Sequence, residues 1–141
     1  MILKYKMEKL NNIMIIDDDE IFHLIFSDII VMADVTRKIS SFLSAEESLN
    51  YLNTTDNLPE LIFLDINMPG LDGWDFLNEF AKLSDNIKNK VKIVMLSSSI
   101  FEEDRIKAQK NKYVADFVVK PIDVEKVQTL VKELPNRSLV A

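Results

Sequence analysis

Polar side chains follow four apolar runs in this sequence, each at the point where the run ends. The runs are IMII before DDD, LIFL before Asp65, IVML before Ser97 and FVV before Lys120. Each run is about as long as a strand, and the ligands of an open α/β sheet bind just beyond the carboxyl ends of its strands. The pattern therefore predicts that four distant stretches of the chain build one site.

The acidic residues of this predicted site favour binding of a divalent cation. The segment DDD at 17–19 follows the first run, and Asp65 ends a later run that we expect to be its neighbour in the sheet. Carboxylates that converge on one edge repel one another unless they hold a proton or a cation. Mg²⁺ prefers oxygen ligands and often keeps open water positions, which leaves room for a phosphate.

The other polar residues of the predicted site favour phosphoryl chemistry. Lys120 brings a positive charge and Ser97 a hydroxyl donor to the ends of neighbouring runs. Together with Mg²⁺ they would neutralise three phosphoryl oxygens around an accepting carboxylate. Asp65 is the candidate nucleophile because it stands alone at its strand end, and a carboxylate can form an acyl phosphate.

Each of these motifs also has an ordinary structural interpretation. The DDD segment is typical of a solvated turn or a helix cap, and a single aspartate before a turn is typical of an Asx cap. A Lys-Pro pair is common in loops, and the serines at 97–99 could act as caps alone. The functional interpretation is favoured because all four motifs follow apolar runs in one alternating pattern.

An alternation of strands and helices must position these residues. The apolar runs predict strands at about 12–16, 38–43, 61–65, 91–96 and 116–119. The segments between them predict helices at about 20–33, from Ser44 onward, at 74–83, at 99–110 and at 123–134. Five such alternations are typical of a parallel sheet covered by helices on both faces.

Local signals predict where several of these helices begin and end. Ser44 with Glu47 and Ser99 with Glu102 have the spacing of capping boxes. The segment NMPGLDG at 67–73 is typical of a turn, and Pro135 is expected to end the last helix.

Length and composition restrict the class of protein. The 141 residues have room for one domain, predicted at 10–134, with a lead-in at 1–9 and a tail at 135–141 that holds no output domain. The chain has no cysteine and one histidine, His23, so we expect neither a disulfide framework nor a zinc site, and a cytoplasmic location. A net charge of −6 argues against direct nucleic-acid binding. No apolar stretch approaches the ~20 residues that span a bilayer, so membrane insertion is not expected.

The ordered set of motifs resembles a known family. IIDDDE, LIFLDINMPGLDGWDFL, IVMLSSS and DFVVKPID are similar to the receiver domain of two-component response regulators, over about residues 10–134. Each motif alone is weakly specific, whereas the ordered set is highly specific. The resemblance implies a flavodoxin-like (βα)5 doubly wound fold, with a parallel sheet in the strand order 2-1-3-4-5.

The resemblance also assigns roles at the predicted site. Asp65 becomes the phosphoacceptor, and Lys120, followed by a cis bond to Pro121, becomes the partner of the phosphate. Asp18 becomes a direct Mg²⁺ ligand and Asp17 acts mainly through metal-bound water. Asp65 itself and the backbone carbonyl of Asn67 complete the ligands from the protein.

Two further residues become parts of a switch in this resemblance. Ser97 is the switch hydroxyl, where the family often has threonine, and Phe117 is the rotating aromatic, where tyrosine is common. Both substitutions keep the group that the switch needs, a hydroxyl and a ring. Asp19 is left as a cap of the first helix.

The resemblance implies protein partners and signalling without turnover of an external substrate. A histidine kinase or a histidine phosphotransfer protein would donate the phosphoryl group. The output would be a changed contact with an unknown downstream protein, on the face formed by the fourth predicted helix, the fifth strand and the fifth helix. The protein would act as a phosphoacceptor in two-component signal transduction or a phosphorelay.

Three residues near the predicted site have two interpretations each. Phe22 and Phe26 lie on an unusually apolar first helix, so they either belong to the core or contact a phosphotransfer helix bundle. His23 is expected to be an exposed helix residue, with a contact to the site or a role as its pH modulator as the alternative. Trp74 is expected to pack against the core.

Two other function classes share part of the pattern. A phosphatase with an aspartate nucleophile also uses a strand-end aspartate, Mg²⁺, a hydroxyl and a lysine, but usually carries a second aspartate where this chain has Asn67. A receiver-like module that binds partners without phosphorylation is disfavoured because every residue that phosphorylation needs is present.

Overall fold

A central sheet of five parallel strands organises the structure, a computed structural model that describes residues 6–134 and 139–140. The strands are β1 Ile13–Ile16, β2 Ile39–Phe42, β3 Leu61–Asp65, β4 Lys92–Ser97 and β5 Val114–Val119. They lie in the order β2-β1-β3-β4-β5, and every neighbouring pair is parallel. The predicted flavodoxin-like fold with strand order 2-1-3-4-5 is confirmed.

The middle of the sheet is buried on both faces. Every residue of β1 and β3 is buried. Met14 and Ile16 pack into the core on one face, and Ile13 and Ile15 pack into the core on the other. This division follows the two-residue period of a strand. Because both faces are covered, these strands are continuous apolar runs in the sequence rather than alternating ones.

Helices cover the two faces of the sheet. In the described part of the chain they are α1 Glu20–Ala33, α2 Ala45–Thr54, α3 Gly73–Phe80, α4 Asp85–Lys90, α5 Glu102–Gln109 and α6 Val124–Lys132. The short helix α4 was not predicted from the sequence. It begins after Ser84, whose hydroxyl accepts the N–H of Ile87.

Side-chain caps fix the starts of several helices. The Asp19 carboxylate accepts the N–H groups of Ile21 and Phe22, so its predicted role as the cap of α1 is confirmed. The Ser44 hydroxyl accepts the N–H of Glu47 at the start of α2. Such caps satisfy N–H groups that the first turn of a helix leaves without a partner.

The predicted capping box of Ser99 and Glu102 is wrong. Helix α5 begins after Phe101, which provides no side-chain cap. The N–H of Ser99 donates to the Ser97 hydroxyl at 3.2 Å, and that hydroxyl donates back to the Ser99 carbonyl at 2.6 Å. The serine segment therefore forms its own tight turn and leaves α5 uncapped.

Several predicted boundaries also differ from the structure. Helix α3 ends at Phe80 rather than at residue 83, and β5 begins at Val114 rather than at residue 116. Helix α6 begins at Val124, after the cap residue Asp123, and ends at Lys132, whereas the prediction was 123–134. Pro135, the predicted stop, lies outside the described residues.

Helix α1 has an apolar face toward the sheet and further apolar residues toward solvent. Its buried residues are His23, Phe26, Ile30 and Ala33. Phe26 stands edge-on to Phe63 with ring centroids 4.9 Å apart, so it belongs to the core and cannot be the partner contact considered above. Large apolar side chains of α1 that are exposed instead are Ile21, Leu24, Ile25, Val31 and Met32.

Short segments near the two chain ends pair with each other. Lys6–Met7 and Leu139–Val140 form an antiparallel ladder of two residues each. Residues 1–5 of the predicted lead-in, and residues 135–138 and 141 of the predicted tail, lie outside the described residues. In the part of the chain that the structure describes, no helix has both the length and the apolar character needed to cross a bilayer.

Candidate functional site

The acidic segment after β1 divides into three different environments. Asp17 is buried, with an exposed fraction of 1%. Its carboxylate accepts the N–H of Asp19 at 2.9 Å and pairs with Lys120, whose Nζ lies 2.7 Å from Oδ2. Asp18 is exposed, and the Asp19 carboxylate is used by the cap of α1. Asp17 and Asp18 are therefore the two aspartates that remain for the site.

Asp65 stands at the end of β3, as predicted, and is buried. Its Oδ1 lies 3.5 Å from Lys120 Nζ. Helix α3 begins directly beside this strand end, where the N–H of Gly73 donates to the Ile66 carbonyl at 2.8 Å. A Cβ on Gly73 would lie 2.7 Å from the backbone oxygen of Asp65, which is too close for any real side chain.

Lys120 reaches both carboxylates from the end of β5. Its N–H donates to the Ser97 carbonyl at 2.8 Å, which aligns the ends of β4 and β5. The peptide bond to Pro121 is cis, as predicted. The ammonium also lies 4.1 Å from the centre of the Phe22 ring, a cation–π arrangement that attracts it electrostatically.

Negative charges outnumber positive ones at the carboxyl edge of the sheet. Carboxylate oxygens of Asp17, Asp18 and Asp65 all lie within 4.8 Å of one another. Burial raises the pKa of Asp65 to about 6, and the negative charge of Asp17 adds to this rise while Lys120 opposes it. A cation among these oxygens would relieve the repulsion, so the donor set fits a hard ion such as Mg²⁺.

The two predicted switch residues lie on neighbouring strands. Ser97 ends β4 and is buried, with its hydroxyl engaged by Ser99. Phe117 is also buried and pairs in register with Met95, two positions before the Ser97 pairing with Val119. The Arg105 guanidinium of α5 lies 5.7 Å from the centre of the Phe117 ring. Phe117 therefore connects β5 to helix α5.

The segment after β3 carries two more residues that were singled out in the sequence. Asn67 is exposed, two residues beyond Asp65, and its role as a carbonyl ligand stays a prediction. Trp74 is partly buried and packs against the core, as expected. Lys107 of α5 places its ammonium 4.4 Å from the centre of the Trp74 ring, so α5 contacts this segment too.

Two residues in the first turns of α1, Phe22 and His23, contact the site, and such a contact was the alternative interpretation of His23. Phe22 lies under Lys120, as described. The expectation that His23 is exposed is wrong: the side chain is buried and its Nε2 lies 2.7 Å from the backbone carbonyl oxygen of Asp17. The signal was present in the sequence, because His23 and Phe26 are three apart and so share one helix face.

Comparison with known proteins gives consistent matches. The family model described as the response regulator receiver domain matches residues 13–132. A two-component response regulator from Cytophaga hutchinsonii has a crystal structure with a TM-score of 0.83 and 32% identity, covering 89% of this chain and 97% of that one. The fold and most of its length are therefore shared with a solved response regulator.

Curated relatives are mostly much longer than this chain. Hybrid signal transduction histidine kinase L of Dictyostelium discoideum is 26% identical over 88% of this chain and 7% of its own length. Sensor histidine kinase CheAY of Helicobacter pylori is 30% identical over 61% of this chain and 10% of its own length. The chain thus spans about a tenth or less of these two proteins. Since the family model covers most of its residues, the chain belongs to the response regulator receiver domain family of two-component signalling.

Proposed function

We propose that this protein is a receiver that accepts a phosphoryl group on Asp65 from a phosphohistidine. The observation that carries the proposal is the position of Asp65, buried at the end of β3 with Lys120 Nζ 3.5 Å away and two more aspartates beside it. The donor would be a histidine kinase or a histidine phosphotransfer protein. The similarity to two proteins named as histidine kinases supports this class of partner.

Mg²⁺ is proposed as the cofactor because the donor set suits it. Asp18 and Asp65 would bind it directly, Asp17 would act through water, and Asn67 would add its backbone carbonyl. When bound, the ion would neutralise phosphoryl oxygens and so favour attack by a carboxylate that is itself negative. Lys120 alone offsets only one of the three negative charges of Asp17, Asp18 and Asp65.

The proposed transfer is a single displacement at phosphorus. One carboxylate oxygen of Asp65 forms the new P–O bond while the P–N bond to the donor imidazole breaks. The electron pair of the broken bond leaves with the imidazole nitrogen, and Asp65 becomes an acyl phosphate. Lys120 stabilises the charge that develops on the phosphoryl oxygens, because its ammonium already lies between Asp17 and Asp65.

The proposed switch begins when the new phosphate attracts the Ser97 hydroxyl. That hydroxyl would exchange its hydrogen bond to Ser99 for one to the phosphate, and Phe117 would move toward the space that it leaves. The movement would reach α5 through Arg105, which lies over the Phe117 ring. We propose that the face formed by α5, β5 and α6 then changes its affinity for a downstream protein in the cytoplasm.

Phosphorylation by a small donor tests this function directly. Wild-type protein incubated with acetyl phosphate and Mg²⁺ is expected to gain one phosphoryl group per chain, measured by intact mass. Asp65→Asn is expected to gain none, and chelation of Mg²⁺ is expected to abolish labelling of the wild type. Asp56 is an exposed aspartate outside the cluster of Asp17, Asp18 and Asp65. Asp56→Asn is therefore the matched control and is expected to label normally.

Two results would reject the proposal. Equal labelling of wild type and Asp65→Asn would show that Asp65 is not the acceptor. Sustained turnover of a phosphomonoester, instead of labelling at one group per chain, would identify a phosphatase with an aspartate nucleophile.

A further inference from the structure

We infer that His23 is a positioning residue for the acidic pair of the phosphorylation site. The inference rests on the proposed function and extends it to a residue of α1 that would touch neither the phosphoryl group nor the metal. It is carried by one buried hydrogen bond, between the imidazole and the backbone carbonyl of Asp17.

The placement of His23 leaves its ring few ways to satisfy its polar atoms. The residue lies on the stripe that α1 buries, together with Phe26, Ile30 and Ala33, and only 7% of it is exposed. A polar group in such surroundings is costly unless it is hydrogen-bonded. The ring nitrogen Nε2 lies 2.7 Å from the Asp17 oxygen, while Nδ1 is buried and has no hydrogen-bond partner in the described part of the chain.

The direction of this hydrogen bond follows from the groups involved. A backbone carbonyl can only accept, so Nε2–H must be the donor. A neutral ring in this position therefore carries its proton on Nε2. The hydrogen bond of the ring goes entirely to the site, because the other nitrogen contributes none to the rest of the fold.

The accepting carbonyl lies at a sensitive point of the site. It belongs to the peptide group that joins Asp17 to Asp18, so its direction determines where the Asp18 side chain begins. The Asp17 carboxylate is held separately, by the N–H of Asp19 and by Lys120. His23 adds the third restraint and acts on the peptide group itself, which places the exposed Asp18 carboxylate within reach of Asp65.

A restraint of this kind is expected to appear in the affinity for metal. Residues that orient metal ligands typically contribute about 10-fold to 100-fold in affinity when they are removed. His23→Leu keeps an apolar filler on the buried stripe but loses the donor. His23→Gln keeps an amide N–H that can reach the position of Nε2. His23→Asn is polar but too short to reach that position.

The experiment measures Mg²⁺ binding by calorimetry in the full chain and its variants. His23→Leu and His23→Asn are expected to weaken binding about 10-fold, and His23→Gln is expected to remain within about threefold of the wild type. Labelling by acetyl phosphate should recover in the weakened variants when Mg²⁺ is raised, because the acceptor and Lys120 are intact. Ile30→Val, a buried change on the same helix face, is the control for loss of stability and should leave Mg²⁺ affinity unchanged.

A second measurement tests the hydrogen bond without metal. The ¹⁵N shifts of the single imidazole in the Mg²⁺-free wild type should report a proton on Nε2. A proton on Nδ1 alone would overturn the inference, and so would wild-type Mg²⁺ affinity in folded His23→Leu and His23→Asn. Absence of Mg²⁺ binding by the wild type would instead reject the proposed function, together with the inference that depends on it.

Discussion

Helices α1 and α5 both begin at the carboxyl edge of the sheet, but they are attached to the molecule in different ways. Helix α1 starts with the Asp19 cap and buries four residues, including Phe26. Helix α5 starts after Phe101 without a side-chain cap and buries Ala108 alone among its eight residues. The one large apolar side chain of α5, that of Ile106, is exposed.

We infer that this difference separates a fixed side of the site, at α1, from a side that rearranges more easily, at α5. Packing of an apolar face supplies most of the stability of a helix in a protein, and segments with little buried surface open at lower free energy. Helix α1 therefore holds the acidic residues in place through Asp19 and His23. Helix α5 meets the site through ring contacts of Arg105 and Lys107, which can be rearranged at low cost.

Truncation of one apolar residue on each helix gives the largest expected contrast. Phe26→Ala is expected to lower the free energy of unfolding by about 3–5 kcal/mol, because it leaves a cavity beside Phe63. Ile106→Ala is expected to change it by about 0.5 kcal/mol or less, since its side chain is exposed. Urea denaturation measures both. Similar losses in the two variants would contradict the difference in attachment.

The fixed side also holds its carboxylates at an electrostatic cost that depends on pH. In metal-free protein the raised pKa of Asp65 means that the fold gains stability while this carboxyl is protonated, below its usual pKa of 3.8, and loses it as the pH rises through about 6. Asp65→Asn cannot ionise and avoids this loss. We therefore expect the melting temperature of Asp65→Asn to exceed that of the wild type increasingly from pH 4 to pH 7 in the presence of a chelator.

Thermal melts across this pH range, with and without Mg²⁺, check the electrostatic account. Mg²⁺ should reduce the advantage of the variant at pH 7, because the ion stabilises the wild-type carboxylates. A stability difference between the two proteins that does not change with pH would mean that Asp65 is not held in the buried, repulsive environment described here.

Close packing of α3 against the end of β3 predicts a separate effect at Gly73. Gly73→Ala is expected to cost about 1–3 kcal/mol and to impair phosphorylation, because the added Cβ would press on the backbone of Asp65 and Ile66. Gly70→Ala is the matched control. Gly70 has a φ of 76°, which disfavours alanine, but the nearest atom to an added Cβ is 3.6 Å away. Both variants should lose stability in denaturation, while normal labelling of Gly73→Ala would contradict close packing at the strand end.

Removing the cap of α1 and adding one to α5 gives the smallest expected effect. The two changes test directly whether the caps make α1 more firmly attached than α5. Asp19→Ala should cost about 1 kcal/mol, since two N–H groups of α1 lose their acceptor. Phe101→Asp should stabilise by up to about 1 kcal/mol, because Phe101 already has the extended backbone of an N-cap residue but no acceptor. Hydrogen exchange of α5 amides should slow in Phe101→Asp. Unchanged exchange would mean that α5 is not limited by its missing cap.

The sequence predicts the sheet and its carboxyl edge well because those features depend on local patterns. Continuous apolar runs mark β1 and β3, and an aspartate of the site follows each run: Asp17 after β1, and Asp65 as the last residue of β3. Asp17 and Asp65 come together because β1 and β3 are neighbours in the sheet. Lys120 reaches both of them from the end of β5, across the end of β4. Ser97 reaches the same edge through the alignment of β4 with β5.

The structure differs from the sequence predictions where several acceptors compete for one N–H group. It also differs where a side chain contacts a residue that is distant in the chain. The Ser99 and Glu102 spacing fits a capping box, but the Ser97 hydroxyl takes the N–H of Ser99 instead. His23 shares a helix face with Phe26, which indicates burial, but its hydrogen bond to the Asp17 carbonyl depends on the folded path of the chain between β1 and α1. The Phe22 contact with Lys120 joins residues almost a hundred positions apart, so no local pattern could predict it.

The identity of the phosphorylated residue tests directly whether Asp65 is the phosphoacceptor. After reaction with acetyl phosphate and Mg²⁺, reduction with borohydride converts an aspartyl phosphate to homoserine, which tandem mass spectrometry locates in the sequence. We expect homoserine at position 65 alone and none without the phosphodonor. Homoserine at position 17 or 18, or a phosphate that resists borohydride on a serine, would contradict the assignment of Asp65 as the phosphoacceptor.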